Sequence, residues 1–144
     1  MAQINPYLYF DGDCEAAFNF YKSVFETDFQ YVGRYKDIPP SAENPMEVDG
    51  DKIMHIAMPI SKETVLMGSD VAGEYAQLNI KGSNVQLSVN AETEEEAKRI
   101  FHALSAGGQM KMPLEKTFWG ALFGMFIDKF GIHWMVNYDY TEQK

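Results

Sequence analysis

Cysteine is almost absent from this sequence, which has one, Cys14, in 144 residues. One cysteine cannot form an internal disulfide, and a chain without disulfides is typical of a reducing compartment, so we expect a cytoplasmic protein. The N-terminal segment MAQINPYLYF lacks the basic and long apolar segments of a secretory signal. No stretch approaches the ~18 apolar residues of a membrane span, so we expect no membrane partner.

Basic residues are also scarce. The 12 lysines and arginines stand against 21 aspartates and glutamates, which gives a formal net charge of −9. An acidic chain without a basic stripe is a poor partner for a phosphate backbone, so we expect no nucleic-acid binding. Aromatic residues are plentiful at 14%, and there are nine methionines. The length is that of a single domain spanning residues 1–144.

The chain repeats one order of elements, strand–helix–strand–strand–strand, in a module of about residues 1–72 and another of about 83–140. Apolar periodicity and turn residues mark these elements. In the first module we predict a strand at 4–10, a helix at 14–25 capped by Asp13, a strand at 29–35, and a hairpin of 52–59 and 64–68. In the second we predict a strand at 85–91, a helix from the Thr93 cap to about 105, a short strand at 109–112, a loop at 113–118, and a hairpin at 119–137.

The spacing of matching residues supports a duplication. Glu15 and Glu95 are separated by 95 − 15 = 80 residues, whereas Met67 and Met135 are separated by 135 − 67 = 68. The difference, 80 − 68 = 12, is the extra length of a proline-rich segment at 36–51, which we expect to be a long loop. One offset before that segment and another after it is what a duplicated unit with one insertion would give.

The last hairpin, WGALFGMFIDKFGIHWMVN, is apolar on both faces and turns at Asp128–Gly131. We expect one face to pack against a helix and the other to line a pocket. If Asp128 pairs with Ile132, Met125 lies opposite Met135, and Trp134 faces the helix. Asp128 itself is expected to brace the turn.

The same two-residue period in the other strands predicts the lining of the pocket. In the first module Met67 lies opposite Ala57, with His55 on the same face, and in the second Gln86 shares a face with Ser88. The predicted wall consists of His55, Met67, Gln86, Ser88, Phe123, Met125, His133 and Met135, with Trp119 near its rim.

Four candidates in this set and beside it have open alternatives. His55 and, by the same reasoning, His133 are each either a general base, because imidazole titrates near neutral pH, or a hydrogen-bonded strand residue without a chemical role. Trp119 either stacks on a flat ligand or packs in the core. Cys14 lies in the first turn of a helix, where it is either a nucleophile or simply a small residue.

The segments PYLYFDGDCEAAFNFYKSVF, DKIMHIAMPI, VLMGSD and FWGALFGMFIDKFGIHWMVNY resemble the vicinal oxygen chelate superfamily, also called the glyoxalase/bleomycin-resistance fold. They are similar to its PhnB-like branch, often labelled 3-demethylubiquinone-9 3-methyltransferase. The resemblance covers nearly the whole chain. It implies an α+β fold in which two βαβββ modules form a curved, mostly antiparallel sheet around a concave pocket, with the helices outside, and it implies a homodimer.

Metal-using members of that superfamily place one ligand on the first and one on the last strand of each module. The resemblance carries these positions to Pro6, Met67, Gln86 and Met135. Divalent metals in such a site require imidazole, carboxylate or amide oxygen, which only Gln86 could supply. We therefore expect neither a metal nor another cofactor.

The resemblance and the residues together favour a metal-independent protein that binds a small molecule. The alternative is an enzyme of unknown reaction that uses His55 in the pocket. A metal-dependent lyase or dioxygenase is disfavoured by the missing ligands. A methyltransferase is disfavoured because the sequence lacks a glycine-rich strand-to-helix turn and its modules differ from a Rossmann-like sheet.

Overall fold

The computed structural model describes residues 2–38, 49–71 and 82–140. The chain divides into two compact units, Met1–Ile80 and Lys81–Lys144, and each contains one helix and one four-stranded sheet. This confirms the predicted α+β fold of two βαβββ modules. Most of the predicted proline-rich loop (39–48) and most of the connection between modules (72–81) lie outside the described residues. In the described ranges no helix is long and apolar enough to cross a membrane.

Unit one consists of β1 (Tyr7–Phe10), α1 (Cys14–Phe25), β2 (Tyr31–Arg34), β3 (Ile53–Pro59) and β4 (Val65–Asp70), with a 3-10 turn at Tyr35–Asp37. The strands lie in the order β1-β4-β3-β2. The β1–β4 pair is parallel, and the other two pairs are antiparallel. Met67 lies opposite Ala57, as the sequence predicts.

The core of unit one lies between α1 and one face of this sheet. Ala17, Phe18, Tyr21 and Val24 recur at helical spacing on α1, and all are buried. The ring of Phe18 occupies the space above Gly68, where a Cβ atom would come within 2.7 Å of the ring. Since α1 covers this face, the opposite face of the sheet carries the alternate residues of each strand.

Unit two consists of β5 (Leu87–Asn90), α2 (Glu94–Ser105), β6 (Gln109–Lys116), β7 (Ala121–Ile127) and β8 (His133–Asp139), in the order β5-β8-β7-β6. Met125 lies opposite Met135, as predicted. Thr93 caps α2 by accepting a hydrogen bond from the Glu96 backbone N–H at 3.0 Å. The helix buries the predicted residues Ala97, Ile100, Phe101 and Leu104.

One strand is longer than the sequence predicts. Residues 113–116 continue β6, whereas we expected a loop from Pro113 onward. β6 is an edge strand, and its pairing with β7 shifts between Met110 and Met112 and again between Met112 and Glu115. A proline is tolerated on such an edge because its missing N–H interrupts no continuous ladder.

The start of α1 also differs from the prediction. Asp13 makes no capping hydrogen bond with its side chain. Instead, Oδ1 of buried Asp70 accepts hydrogen bonds from the backbone N–H groups of Gly12 (2.9 Å) and Cys14 (3.0 Å). The other carboxylate oxygen accepts from the N–H of Ile53 at 2.9 Å. A side chain from the last strand of the unit therefore holds the first turn of its helix.

The spacing of the repeat is confirmed for the helices and the hairpins but not for the first strands. The helices begin 94 − 14 = 80 residues apart, and Met67 and Met135 are 135 − 67 = 68 apart. In the parallel pairs, however, Tyr7 lies beside Met67 and Ser88 lies beside Met135. Tyr7 and Ser88 are therefore the equivalent residues of the two first strands, and they are 88 − 7 = 81 residues apart. The expected equivalence of Pro6 and Gln86, which are 80 apart, is therefore wrong by one residue in the strand register.

Candidate functional site

The face of the unit-one sheet that turns away from α1 is rich in tyrosine. Strand register places Tyr7, Met67, Ala57 and Tyr31 side by side across the four strands. Tyr9 follows Tyr7 on the same face by the two-residue period. We name Tyr7, Tyr9, Tyr31 and His55 the aromatic face. The three tyrosines retain 39%, 49% and 50% of their surface exposed, respectively.

His55 lies at the centre of the aromatic face. Its ring stacks on Tyr7 with centroids 5.6 Å apart and an interplanar angle of 24°. On its other side it meets Tyr31 at 5.7 Å and 40°. The Tyr7 hydroxyl lies 3.2 Å from Nδ1 of His55, which is a hydrogen-bonding distance. This bond fixes the orientation of the imidazole.

The phenol of Tyr7 stays protonated at neutral pH. Burial raises its pKa, a hydrogen bond with Ser69 lowers it, and the neighbouring phenol of Tyr9 raises it further, so that the net shift is upward. A neutral hydroxyl can either donate to Nδ1 of His55 or accept from it, depending on the tautomer of the imidazole. The pair can therefore relay a hydrogen bond to a bound molecule.

Small residues form the floor beneath these rings. Gly33 is paired with His55, and Ala57 is paired with Tyr31. A Cβ atom at Gly33 would come within 2.7–3.0 Å of three atoms at the outer end of the Tyr31 side chain. The glycine thus provides the space in which the Tyr31 ring lies against the sheet.

The corresponding face of the unit-two sheet combines methionines with amides. Register places Ser88, Met135, Met125 and Met112 side by side. The neighbouring row contains Asn90, Asn137, Phe123 and Glu115. The Nδ2 group of Asn137 donates to Oδ1 of Asn90 at 3.4 Å. Except for Glu115 on the edge strand, these paired positions carry no formal charge.

The structure places the predicted pocket residues in two groups. His55 and Met67 lie in unit one, on the aromatic face or paired beside it. Phe123, Met125, His133 and Met135 share the open face of unit two, together with Ser88, and Gln86 immediately precedes β5. Trp119 is 57% exposed, beside Phe118 at 97%, and its ring lies 6.2 Å from that of Phe123.

The four positions implied for a metal do not fit one. The side chain of Pro6 has no donor atom, and its backbone oxygen accepts a hydrogen bond from Met67 N–H at 3.1 Å. Met67 and Met135 offer only thioethers, which suit soft metals rather than Mg²⁺, Mn²⁺ or Zn²⁺. No cluster of three or more histidine, cysteine, aspartate or glutamate side chains that could hold a metal occurs among the described residues.

Cys14 is a poor candidate for a nucleophile. Its side chain is fully buried at the start of α1. Burial raises the pKa of its thiol strongly, and the nearby Asp70 and Glu15 carboxylates raise it further. The thiolate is the reactive form of cysteine, so this group is inert while the protein is folded.

The tyrosines of the aromatic face are the residues that sequence reasoning missed. Tyr7 and Tyr9 are two apart in a predicted strand, which already placed them on one face. Tyr31 could not be added from the sequence, because its position beside Ala57 depends on the pairing of β2 with β3.

Comparison with known proteins gives a consistent result. A family model described as 3-demethylubiquinone-9 3-methyltransferase matches residues 2–137. Protein YjdN of Escherichia coli (strain K12) is 31% identical over 137 residues, which cover 93% of both chains. The crystal structure of protein PA1353 from Pseudomonas aeruginosa is similar with a TM-score of 0.80 and 36% identity, covering 96% of this chain and 98% of that one.

Two further structures relate the chain to named groups. A putative 3-demethylubiquinone-9 3-methyltransferase, PhnB protein, from Bacillus cereus has a TM-score of 0.76 and 27% identity, with 95% of this chain and 99% of that chain covered. A glyoxalase/bleomycin resistance protein/dioxygenase family enzyme from Burkholderia phytofirmans PsJN has a TM-score of 0.63 at 14% identity, with 93% and 95% covered. The latter likeness shows a shared fold.

Proposed function

Because the chain belongs to the family described as 3-demethylubiquinone-9 3-methyltransferase and has the glyoxalase/bleomycin-resistance fold, we propose that it binds a small molecule without a metal ion. The aromatic face of unit one is the observation that carries this proposal. Four rings lie together on one sheet face, and three of them are between 39% and 50% exposed. Clustered exposed aromatic surface is typical of a ligand-binding site.

The chemistry of the metal positions supports the metal-independent part of the proposal. Binding of substrate oxygens by a divalent ion needs several hard donor groups around that ion. Pro6, Met67 and Met135 supply none, and Gln86 alone offers one amide oxygen. The lyase and dioxygenase activities of metal-using relatives are therefore disfavoured for this chain.

The family description does not by itself assign methyl transfer to this protein. The two four-stranded sheets each contain one parallel pair and two antiparallel pairs. Methyl donors with a nucleotide portion are usually held by a glycine-rich turn in a mostly parallel sheet. We propose that this chain does not transfer methyl groups, and that it acts as a cytoplasmic homodimer.

The second candidate function is an enzyme that uses His55. The hydrogen bond between the Tyr7 hydroxyl and Nδ1 of His55 favours it, since that bond orients the imidazole as in sites of general base catalysis. A His55→Ala variant separates the two functions once a ligand is known. Because His55 is one ring of the aromatic face, both functions predict weaker binding by this variant. Turnover that falls far more than the affinity would favour the enzyme, and a parent protein without turnover would favour a binding protein.

A thermal-shift screen with aromatic and amphiphilic compounds, performed in a chelator, tests the proposed binding. We expect at least one compound to raise the melting temperature of the parent protein, and Tyr31→Leu to reduce that rise because the ring contact is lost. Phe130→Leu is the control, since this ring lies in the β7–β8 turn of unit two. If no compound raises the melting temperature of the protein in the presence of the chelator, the proposal is wrong.

A further inference from the structure

We propose that the aromatic face is a site for a planar aromatic cation, such as a ring that carries a quaternary ammonium group. This inference rests on the proposed small-molecule binding and names the chemical class of the ligand. Three observations carry it: the arrangement of the rings, the absence of lysine and arginine from the paired positions of the face, and the space that Gly33 leaves for Tyr31.

The rings form a continuous strip across the sheet. Tyr9 meets Tyr7 with centroids 5.4 Å apart, Tyr7 meets His55 at 5.6 Å, and His55 meets Tyr31 at 5.7 Å. The interplanar angles of 54°, 24° and 40° mean that the rings are not all parallel. Because the rings lie in one strip and the three tyrosines remain 39–50% exposed, a bound molecule can contact more than one ring at once.

The charge of the face determines which ligand fits. Its paired strand positions are Tyr7, Tyr9, Val65, Met67, Ser69, Ala57, Pro59, His55, Tyr31 and Gly33, and none is lysine, arginine, aspartate or glutamate. An anion would find no cationic partner among them. A quaternary cation needs no hydrogen bond and is attracted by phenol π faces. The formal net charge of −9 also favours the approach of a cation.

Gly33 positions one wall of the site. Because the outer atoms of Tyr31 would lie within 2.7–3.0 Å of a Cβ atom there, alanine would push the ring away from the sheet. The backbone would tolerate the change, since Gly33 has no positive φ. Gly33→Ala therefore alters the position of Tyr31 while keeping its chemistry.

Three matched probes test the class of ligand: meta-hydroxyphenyl trimethylammonium, its neutral isostere meta-tert-butylphenol, and the anion meta-hydroxybenzenesulfonate. Calorimetric titration should show the cation binding about tenfold more tightly than the neutral isostere, with no measurable binding of the sulfonate. Equal binding of the cation and its isostere would overturn the cationic class and leave small-molecule binding intact. Failure of all three probes, with no compound found in the screen, would overturn the proposed function itself.

Variants of unit one test the location. Tyr31→Phe should keep the affinity for the cation within about threefold, because the π face remains, whereas Tyr31→Leu should weaken it about tenfold. Gly33→Ala should also weaken it, and Phe130→Leu should not. Circular dichroism verifies that each variant is folded. If the folded Tyr31→Leu protein binds the cation as tightly as the parent, the site is not the aromatic face.

Discussion

Asp128 shows how one side chain can determine a turn. Its Oδ1 accepts hydrogen bonds from the backbone N–H groups of Phe130 (2.8 Å) and Ile132 (3.0 Å). Its Oδ2 accepts from the indole N–H of Trp134 at 2.8 Å, in a buried environment. Gly131, with a φ of 91°, completes the turn that this carboxylate braces.

Replacement of Asp128 should lower the stability of the folded protein, and alanine should lower it more than asparagine. Asp128→Asn keeps an oxygen for Phe130 and Ile132 but presents an amide N–H group to the indole, so we expect a loss of about 1–2 kcal/mol. Asp128→Ala removes both acceptor oxygens and with them all three hydrogen bonds, with an expected loss of about 3 kcal/mol or more. Chemical denaturation measures both. Trp134→Phe, which removes the indole N–H, should make the Asn substitution less costly, and additive effects would contradict the proposed bond.

The buried thiol of Cys14 should give stability a dependence on alkaline pH. Its pKa in the folded state is raised by burial and by Asp70, above the value of ~8.5 in an unfolded chain. Folding favours the protonated thiol, and this contribution to the free energy of unfolding is fully present below pH ~8.5. It is lost as the pH rises toward the folded-state pKa, by up to ~1.4 kcal/mol per pH unit. Tyr7, Tyr35 and Tyr140 also have raised phenol pKa values. They add to the loss of stability only when the pH exceeds their ordinary pKa of 10.0.

Urea denaturation between pH 7 and pH 9.5 measures this effect. We expect the parent protein to lose stability above pH ~8.5, and Cys14→Ala to be less stable at pH 7 but nearly independent of pH over the same range. A parallel decline in both proteins would show that another group is responsible. Slow labelling of the thiol in the folded protein would be consistent with its burial.

At the scale of secondary-structure elements, the start of α1 depends on a strand. Asp13 occupies the usual capping position, but it is Asp70 of β4 that accepts hydrogen bonds from the backbone N–H groups of Gly12 and Cys14. The same carboxylate also accepts a hydrogen bond from the N–H of Ile53 in β3. Local sequence could not predict this, because Asp70 is 58, 56 and 17 residues from its three partners. In α2 the cap residue Thr93 bonds within its own helix, and there the local prediction is confirmed.

Substitutions of the two aspartates should therefore differ sharply. Asp13→Ala removes an exposed side chain without a cap bond, so we expect a change within about 0.5 kcal/mol. Asp70→Ala leaves three backbone N–H groups without their acceptor, and we expect a loss of about 3 kcal/mol or more. Asp70→Asn should fall between them, because it keeps one acceptor oxygen. Equal effects of Asp13→Ala and Asp70→Asn on the denaturation midpoint would contradict this account.

The elements themselves were largely predictable. Both helices have strong apolar periodicity, and their predicted bounds agree with Cys14–Phe25 and Glu94–Ser105. The last hairpin was predictable because the turn at Asp128–Gly131 fixes its register, and the same pairing argument around the turn near Ser61 placed Met67 opposite Ala57. The extension of β6 was not, because the register shifts that accommodate Pro113 are set by pairing with β7.

At the scale of the whole molecule, the chain consists of two units of similar order whose open sheet faces differ in chemistry. Unit one presents tyrosines around His55, and unit two presents methionines beside amides. Within each strand the two-residue period predicts which residues share a face, but it did not identify the tyrosines of unit one as part of the site. It could not predict the one-residue difference between β1 and β5, since the register of a parallel pair is set by neither a turn nor a local signal.

The central claim is that the protein binds its ligand without a metal ion. The most direct test compares the affinity of the protein for meta-hydroxyphenyl trimethylammonium in the presence of a chelator and in the presence of added metal. The dissociation constant is measured after extensive treatment with EDTA, and again with Mn²⁺, Ni²⁺ or Zn²⁺ in place of the chelator. Since the positions Pro6, Met67, Gln86 and Met135 supply almost no hard donors, we expect the constants to agree within about twofold. Binding that disappears in EDTA and returns with one equivalent of a metal ion would contradict the account.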